Sequence, residues 1–533
     1  MPKIVFVTGG VFSSLGKGIS AASIGCLLKS RGFNVKIKKI DPYLNVDPGT
    51  LSPSEHGEVY VTDDGAETDL DLGHYERLAG VSTSKSDYIT SGSVYDEIIK
   101  KERNGDYLGK TIQVVPHVSD ALKARILAQS DECDFLICEI GGTVGDIESV
   151  PILEAARQLR IEGNYDVMFC HVAFVPYLEK ANEWKTKPVQ HSVRTLLHFG
   201  IQPDMIICRM EKEPETDWKN KISNFCNVPF NRVVKALDAN SVYHVIGNFE
   251  NEGVDVQVLN YFKYDATQSK AELSKLNQFI SYFDNEEDES VQIAIVAKYN
   301  ECKDSYKSLS EAILHAGYFL NKKIKINWLD AEKIENEDLS NYSGILVPGG
   351  FGLRGIEGKI KAISFARKHN IPFLGICLGL QLSVIDSLRE VLDDVSSSEF
   401  GNCKNPVIAK MEEWNCSQID AKVKVKAGLG GSMRLGAYLA EIKKDTLAHK
   451  VYKKEQISER HRHRYEVNND YLAYFEKVGL KVSGECGGLV EIVERNDCDF
   501  FIAVQFHPEF NSSIYKPNDL FIAFLQSASE KRV

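Results

Sequence analysis

Pro372-Phe373-Leu374-Gly375-Ile376-Cys377-Leu378-Gly379-Leu380-Gln381 is a short apolar strand that runs straight into Gly-x-Cys-x-Gly and then into a helix. Glycines on both flanks permit the tight, strained turn that lifts a nucleophile clear of a strand end. The following helix points its N-terminus at the sulfur, which favours the thiolate and helps to build an oxyanion hole. A thiolate needs a base and a proton carrier. Phe506-His507-Pro508-Glu509, directly after the apolar run Phe501–Val504, supplies a histidine with a carboxylate two residues on. Cys377, His507 and Glu509 therefore read as nucleophile, base and orienting acid.

The strands around this turn set the fold class. Ile293–Val296, Ile324–Trp328, Gly344–Val347, Phe373–Ile376 and Phe501–Val504 are apolar runs separated by helical segments. Ile4–Val7, Val35–Ile37, Phe135–Ile140, Val167–Phe174 and Met205–Cys208 repeat the pattern in the first half. Several are continuous rather than alternating, as strands covered on both faces tend to be. Both halves are expected to be α/β, each a largely parallel sheet flanked by helices. At 533 residues the chain is too long for one core. Composition shifts once, where a polar stretch ends in the acidic run Asp284–Ser290. The expected division is a first domain over 1–265, a linker over 266–290 and a second domain over 291–533.

The first half opens with a phosphate cradle. Strand Ile4–Val7 leads into Thr8-Gly9-Gly10-Val11-Phe12-Ser13-Ser14-Leu15-Gly16-Lys17-Gly18, and a helix follows. Glycines let backbone N–H groups converge on phosphate oxygens, and Lys17 can reach the terminal phosphates. The spacing departs from the standard P-loop by one residue, and Gly18 stands where Ser or Thr would bind magnesium. Metal ligands must then come from elsewhere. Asp71 in Glu67-Thr68-Asp69-Leu70-Asp71, and Glu139 near the end of strand Phe135–Ile140, are the candidates, since carboxylates at parallel strand ends face the ligand crevice. Two basic clusters add positive charge: Lys36, Lys38 and Lys39, and the loop Lys185-Thr186-Lys187-Pro188-Val189-Gln190, in which Gln190 offers an amide for a base or sugar. Lys221 could add a third cation.

Hydrophobic content of 43% with 26% charged residues is that of a soluble globular protein. No apolar run approaches the length of a membrane span, and Met1–Val7 lacks the features of a signal peptide, so a cytoplasmic protein without a membrane partner is expected. A formal net charge of −12 argues against nucleic acid as a partner but not against nucleotides. The twelve cysteines are scattered without a CxxC pair, as reduced thiols are, Cys377 being the exception.

On Gly375–Gln381 with His507-Pro508-Glu509, the second half resembles the class I glutamine amidotransferases. The first half resembles the synthetase domain of the CTP synthase family through Gly9–Gly18, Asp41–Gly49, His56–Val59, Asp63–Arg77, Glu139–Glu148 and Lys185–Ser192. Glu459–Asn468 extends that likeness, which covers nearly the whole chain. The resemblance implies an ATP-dependent amination of UTP to CTP with ammonia from glutamine. Ser14, Leu15, Gly16, Lys17, Gly18, Ile19, Lys39 and Asp71 would bind ATP, with Leu237, Asp238 and Ala239 at its adenine. Asp71 and Glu139 would hold Mg2+. Ser13, Asp146, Ile147, Glu148, Lys185, Thr186, Lys187, Pro188, Val189, Gln190 and Lys221 would bind UTP, or CTP as feedback inhibitor. Gly350, Leu378, Gly379, Leu380, Gln381, Glu399 and Arg464 would bind L-glutamine. GTP would activate through a lid, for which Arg354 and the loop Gly430–Arg434 fall in matching positions, and His56 with Val59–Tyr60 would gate ammonia. The family also implies a homotetramer, and filament formation is compatible with it. Phe12, Leu380 and Ser432 depart from the usual residues, Phe12 being the one able to alter nucleotide packing.

Two other readings stay open at this level. The phosphate-loop domain also resembles synthetases of biotin and cobalamin biosynthesis, which act on carboxylates; the loop Lys185–Gln190 and Glu459–Asn468 argue against that acceptor. A scaffold with decayed sites should have lost one of Lys17, Asp71, Glu139, Cys377 or His507, and all five are present.

Overall fold

The computed structural model describes residues 1–214, 217–285, 290–298, 303–411, 426–428 and 431–531. They form two compact units, Met1–Thr50 with Leu70–Ile280, and Leu51–Asp69 with Ser281 onward. The middle of the expected linker is not a tether. Ser274–Asp284 is a helix with Leu276 and Phe279 buried, and the Phe279 ring packs on Tyr243 at 4.6 Å. Its apolar positions recur at helical spacing, which outweighs the polar composition around them. Of the acidic run, residues 286–289 lie outside the described residues.

The first unit is built on a seven-stranded parallel sheet. Its order is Val233–Leu237, Met205–Met210, Val167–Phe174, Lys3–Gly9, Phe135–Ile140, Val35–Asp41 and Tyr88–Thr90. Phe135–Ile140 is buried at every position, as a central strand covered by helices on both faces requires. Chain order reverses on either side of Lys3–Gly9, which places the loop after that strand at a switch point of the sheet, where ligand crevices open.

In the second unit, Ile324–Asp330, Val291–Ala297, Gly344–Val347, Phe373–Ile376 and Phe501–Val504 pair in parallel. The sheet continues antiparallel through Leu489–Arg495, Leu480–Cys486 and Gly431–Ile442, and Gln456–His463 pairs with the last of these. Helices Lys307–Leu320 and Asp519–Glu530 pack against one face with Ile295, Leu374 and Val504, and helices Ile356–Lys368 and Leu378–Leu388 against the other with Val347 and Phe373.

Residues 51–69 correct the expected boundary, because they fold with the second unit. Arg460 Nε donates to Asp63 Oδ1 at 2.6 Å and its Nη1 to Tyr60 Oη at 2.7 Å; Arg462 Nε donates to Glu67 Oε1 at 3.0 Å. Ala437 N donates to Asp63 O at 2.8 Å, and both Glu58 carboxylate oxygens accept from Ser308 N. Gly436 has φ 90°, and a Cβ there would lie 2.7 Å from Asp63 O and 2.8 Å from Gly65 Cα. Both neighbours are backbone, so neither can swing away. Gly436→Ala is therefore expected to destabilise this unit by about 1–3 kcal/mol, the cost of a strained left-handed residue. Thermal denaturation checks it; an unchanged melting temperature contradicts the close approach.

Candidate active site

In the second unit the elbow forms where expected. Phe373–Ile376 is wholly buried, and Cys377 follows at φ 53° and ψ −101° as the N-cap of helix Leu378–Leu388. Cys377 N donates to Val504 O at 2.7 Å, which pins the turn to the neighbouring strand. A Cβ on Gly379 would stand 2.2 Å from Val347 O, so no side chain fits there. His507 lies beside Cys377, whose sulfur acts on its charge. Its Nδ1 lies 2.7 Å from Glu509 Oε1, and its ring stacks on Phe510 at 5.3 Å. Burial opposes a charge on His507, but the Glu509 carboxylate and the Cys377 sulfur outweigh it and hold the imidazolium up to about 10. The structure thus brings the three predicted residues together.

Around them, Gly349 closes over the pair: a Cβ there would be 2.9 Å from His507 Cε1 and 3.7 Å from Cys377 Cβ. Gly350 follows, with Leu378 Cδ2 at 3.5 Å from its would-be Cβ. Leu378 and Leu380 point into the core, so only their backbone can meet a ligand. Glu399 Oε1 accepts from Gly352 N at 2.7 Å, and burial raises this carboxyl above its ordinary range despite that bond and Lys298. Arg464 is half-buried just past strand Gln456–His463. Gln381 is buried, its Nε2 donating to Tyr465 O at 3.0 Å. Arg434 does not belong to an exposed lid. It is 1% exposed, with Nη2 on Glu491 Oε1 at 2.7 Å and Nη1 on Glu466 Oε1 at 3.3 Å. Gly430 lies outside the described residues; Arg354 is exposed.

In the first unit the loop Gly10–Gly16 takes positive φ at Val11, Ser14 and Gly16, then turns into helix Lys17–Ser30. Ser13 and Ser14 are exposed, Leu15 is buried, and Ile19 is partly buried. Lys17 Nζ donates to Gly142 O at 2.7 Å, and burial lowers its pKa. Lys39 is the centre of a charge cluster: its Nζ donates to Asp71 Oδ2, to Glu139 Oε1 at 2.9 Å, and lies 3.6 Å from Asp41 Oδ1. Burial would raise Asp71, but Lys39 wins and holds it below the ordinary range. Burial and the neighbouring Asp71 push Glu139 up, although Lys39 and Lys17 oppose them. Tyr75 Oη donates to Glu139 Oε2. A Cβ on Gly18 would lie 2.1 Å from Asp71 Oδ1 and 3.3 Å from Glu139 Oε2, so this glycine makes the room in which two hard oxygen donors converge. That donor set suits Mg2+.

The remaining predicted residues sit on the rim. Asp146 Oδ2 accepts from Thr143 N at 3.0 Å, and Ile147 and Glu148 are exposed. Pro188 opens helix Lys187–His198, Val189 packs in the core, and buried Gln190 donates from Nε2 to Thr186 Oγ1 at 3.1 Å. Gln190 Oε1 has no hydrogen-bond partner among the described residues, as an acceptor kept for a ligand would not. Lys185 bonds Glu183 at 2.6 Å, and Lys221 also lowers that carboxyl, so the two predicted cations flank Glu183. Leu237 ends its strand, and Asp238 and Ala239 are exposed beyond it.

Sequence reasoning missed Arg209, which joins Ser14 O at 2.7 Å to Asp238 Oδ1 at 2.8 Å. It also missed Asp41 as part of the Lys39 cluster, though its place at a strand's carboxyl end was the signal. Gln505, beside Cys377, carried no signal beyond being a polar residue after a buried strand.

The comparisons with known proteins cover both units. The model described as CTP synthase N-terminus matches residues 3–264, and that of glutamine amidotransferase class-I matches 301–527. The CTP synthase of Paramagnetospirillum magneticum is 51% identical over 538 residues, 99% of each chain. This chain belongs to the CTP synthase family. The CTP synthases of Zymomonas mobilis and Campylobacter jejuni are each 51% identical, over 539 and 545 residues, with 99% of this chain covered and 99% and 98% of theirs. The solved glutaminase domain of Trypanosoma brucei CTPS with bound acivicin is 35% identical over 46% of this chain and 96% of that one, with a TM-score of 0.41. Among the described residues no helix is long and apolar enough to cross a membrane.

The relay in this CTP synthase family member sets a titration. Because Glu509 raises the His507 pKa, removing its charge must lower it, so the imidazolium is lost at lower pH. In Glu509→Gln the His507 ring titration, followed by NMR, is expected to fall from about 10 by roughly one to two units, the size of one charge-assisted hydrogen bond. An unmoved midpoint would mean that Glu509 does not govern the proton.

Proposed function

We propose that this protein makes CTP from UTP, ATP and glutamine, in pyrimidine nucleotide biosynthesis, with glutamine hydrolysis and UTP amination at separate sites. The observation that carries the reading is the assembled Cys377–His507–Glu509 relay, in a chain whose other unit gathers Lys17, Lys39, Asp71 and Glu139 beside a phosphate loop. Family membership supports the choice of UTP as acceptor.

Glutamine binds against Gly350, Leu378–Gln381, Glu399 and Arg464. The Cys377 thiolate attacks its amide carbon, the backbone N–H groups at the head of helix Leu378–Leu388 and at Gly350 stabilise the oxyanion, and His507 passes its proton to the departing ammonia. Water then hydrolyses the thioester. In the other unit Ser14–Ile19 cradle the ATP phosphates, with Leu237–Ala239 at the adenine. Ser13, Asp146–Glu148, Lys185–Gln190 and Lys221 hold UTP, and CTP as its competitor. The γ-phosphoryl group moves to O4 of UTP, ammonia attacks C4, and phosphate leaves. Lys17 and Lys39 hold the reactants in line and offset the charge that develops, which is most of what such a transfer needs. Asp71 and Glu139 would hold Mg2+, which when bound with ATP neutralises phosphate charge. GTP activates the glutaminase, with Arg354 at its site, and the working form is a cytoplasmic homotetramer.

The test is CTP formation followed by absorbance, with glutamine or ammonium chloride as nitrogen source. Cys377→Ala is expected to lose the glutamine-dependent reaction by about 10³-fold or more while keeping the ammonia-dependent one. If wild type makes no CTP from either source with ATP and Mg2+ present, the acceptor is wrong and a carboxylate takes its place. Gly18→Ala should lower both reactions by about 10²-fold, because its Cβ displaces Asp71. Loss confined to glutamine would contradict the placing of the synthetase site.

A further inference from the structure

Behind the nucleophile, in the second unit, lies a chain of amides that the relay does not use. Gln505 follows strand Phe501–Val504 and is fully buried, and its backbone N donates to Glu491 O at 2.8 Å. Its side chain sits between two groups: Nε2 is 3.7 Å from Cys377 Sγ, and Oε1 accepts from Gln381 Nε2 at 3.4 Å. Gln381 Nε2 also donates to Tyr465 O at 3.0 Å.

The direction of this chain is forced. A backbone carbonyl only accepts, so Tyr465 O takes one of the two Gln381 amide hydrogens and fixes which end of that amide faces inward. The second Gln381 hydrogen then needs an acceptor and takes Gln505 Oε1. That leaves the Gln505 amide hydrogens, and no oxygen, turned toward sulfur. A buried donor without an acceptor is costly, and an anionic sulfur satisfies it with a charge-assisted bond.

We propose that Gln505 is a catalytic residue of the glutaminase reaction, its side-chain N–H donating to the Cys377 thiolate. This rests on Cys377 being the nucleophile. In the first step the S–C bond forms, the C–N bond breaks, and the His507 proton leaves on ammonia; sulfur gives up its negative charge. In the second, water adds to the thioester, the S–C bond breaks, and sulfur recovers that charge as leaving group while His507 takes up the water's proton. Gln505 meets anionic sulfur at the start of the cycle and at its end. It thereby raises the fraction of enzyme ready to attack and eases the expulsion of thiolate.

The other titratable groups set against the sulfur are His507 and Lys359, the latter buried on helix Ile356–Lys368 with Nζ on Pro348 O at 3.2 Å and lowered by burial to about 7. Neither is altered by substitution at 505, which isolates the amide. The experiment measures alkylation of Cys377 by iodoacetamide from neutral to alkaline pH, quantified on its own peptide by mass spectrometry, with Cys377→Ser as blank. In Gln505→Met, which keeps the volume and removes the donor, the neutral-pH rate should fall roughly ten-fold, the size of one hydrogen bond to a charged group. The alkaline plateau should match wild type. Gln505→Glu, which sets a carboxylate against the thiolate, should fall further, and the neutral-pH kcat for glutamine should follow the same order. Equal neutral rates in wild type and Gln505→Met, or a loss of the same size at every pH, overturn the proposal. Wild-type Cys377 no more reactive than the other cysteines would instead overturn the nucleophile assignment.

Discussion

One strained residue organises the second unit. Cys377 holds φ 53° with ψ −101°, a conformation costing of order 1–3 kcal/mol for a residue with a Cβ. The surroundings leave it no alternative. Val504 O takes its N–H, and a Cβ on Gly379 would stand 2.2 Å from Val347 O, so the next turn admits only glycine there. The cost is met locally, since Phe373, Leu374 and Ile376 are each fully buried, at about 1.5–3 kcal/mol apiece. A relaxed turn would turn the sulfur away from His507 and the helix N-terminus together. Strain and reactivity are thus one feature.

The first unit meets a different constraint, buried charges of unequal number. Asp41, Asp71 and Glu139 are buried or nearly so around Lys39, with Lys17 beside them. Three carboxylates against two ammonium groups leave a net charge of −1. Burial and crowding push Glu139 and Asp41 toward taking up a proton, while Lys39 keeps Asp71 ionised. A hard cation beside these carboxylates would relieve the same repulsion that a proton otherwise relieves.

What was legible in the sequence follows from the range of the forces involved. Parallel strands announced themselves because burial on both faces leaves continuous apolar runs such as Phe135–Ile140. The elbow and His507-Pro508-Glu509 were legible because a strained turn demands glycines at fixed offsets. Residues 51–69 were not, because Tyr60–Val61 and Glu67–Thr68 are two-residue strands whose fixing partners lie some 400 positions away along the chain. Arg434, read as lid, follows glycines that suggest a loop; only the pairing of Gly431–Ile442 with Gln456–His463 shows its side chain turned inward. Gln505 escaped because one glutamine after a buried strand has no pattern to betray it.

The segment Glu459–His463 shows how the missed segment bears on the relay. Strand alternation sends Arg460 and Arg462 to Asp63, Tyr60 and Glu67, and sends His461 and His463 inward, where Arg434 pairs opposite His463. Burial and the Arg434 charge hold both histidines well below their ordinary pKa, so they stay neutral and leave Glu466 and Glu491 to balance the arginine. Arg460 then serves two neighbours at once. Its carbonyl accepts from His507 N at 2.8 Å while its guanidinium grips Asp63 and Tyr60. Tyr60 donates to Phe510 O and packs on the Phe510 ring, which in turn stacks on His507. His507 therefore has neighbours on two sides that are tied to residues 51–69. Arg460 thus links the segment to the His507 backbone, and Tyr60 links it through Phe510 to the ring.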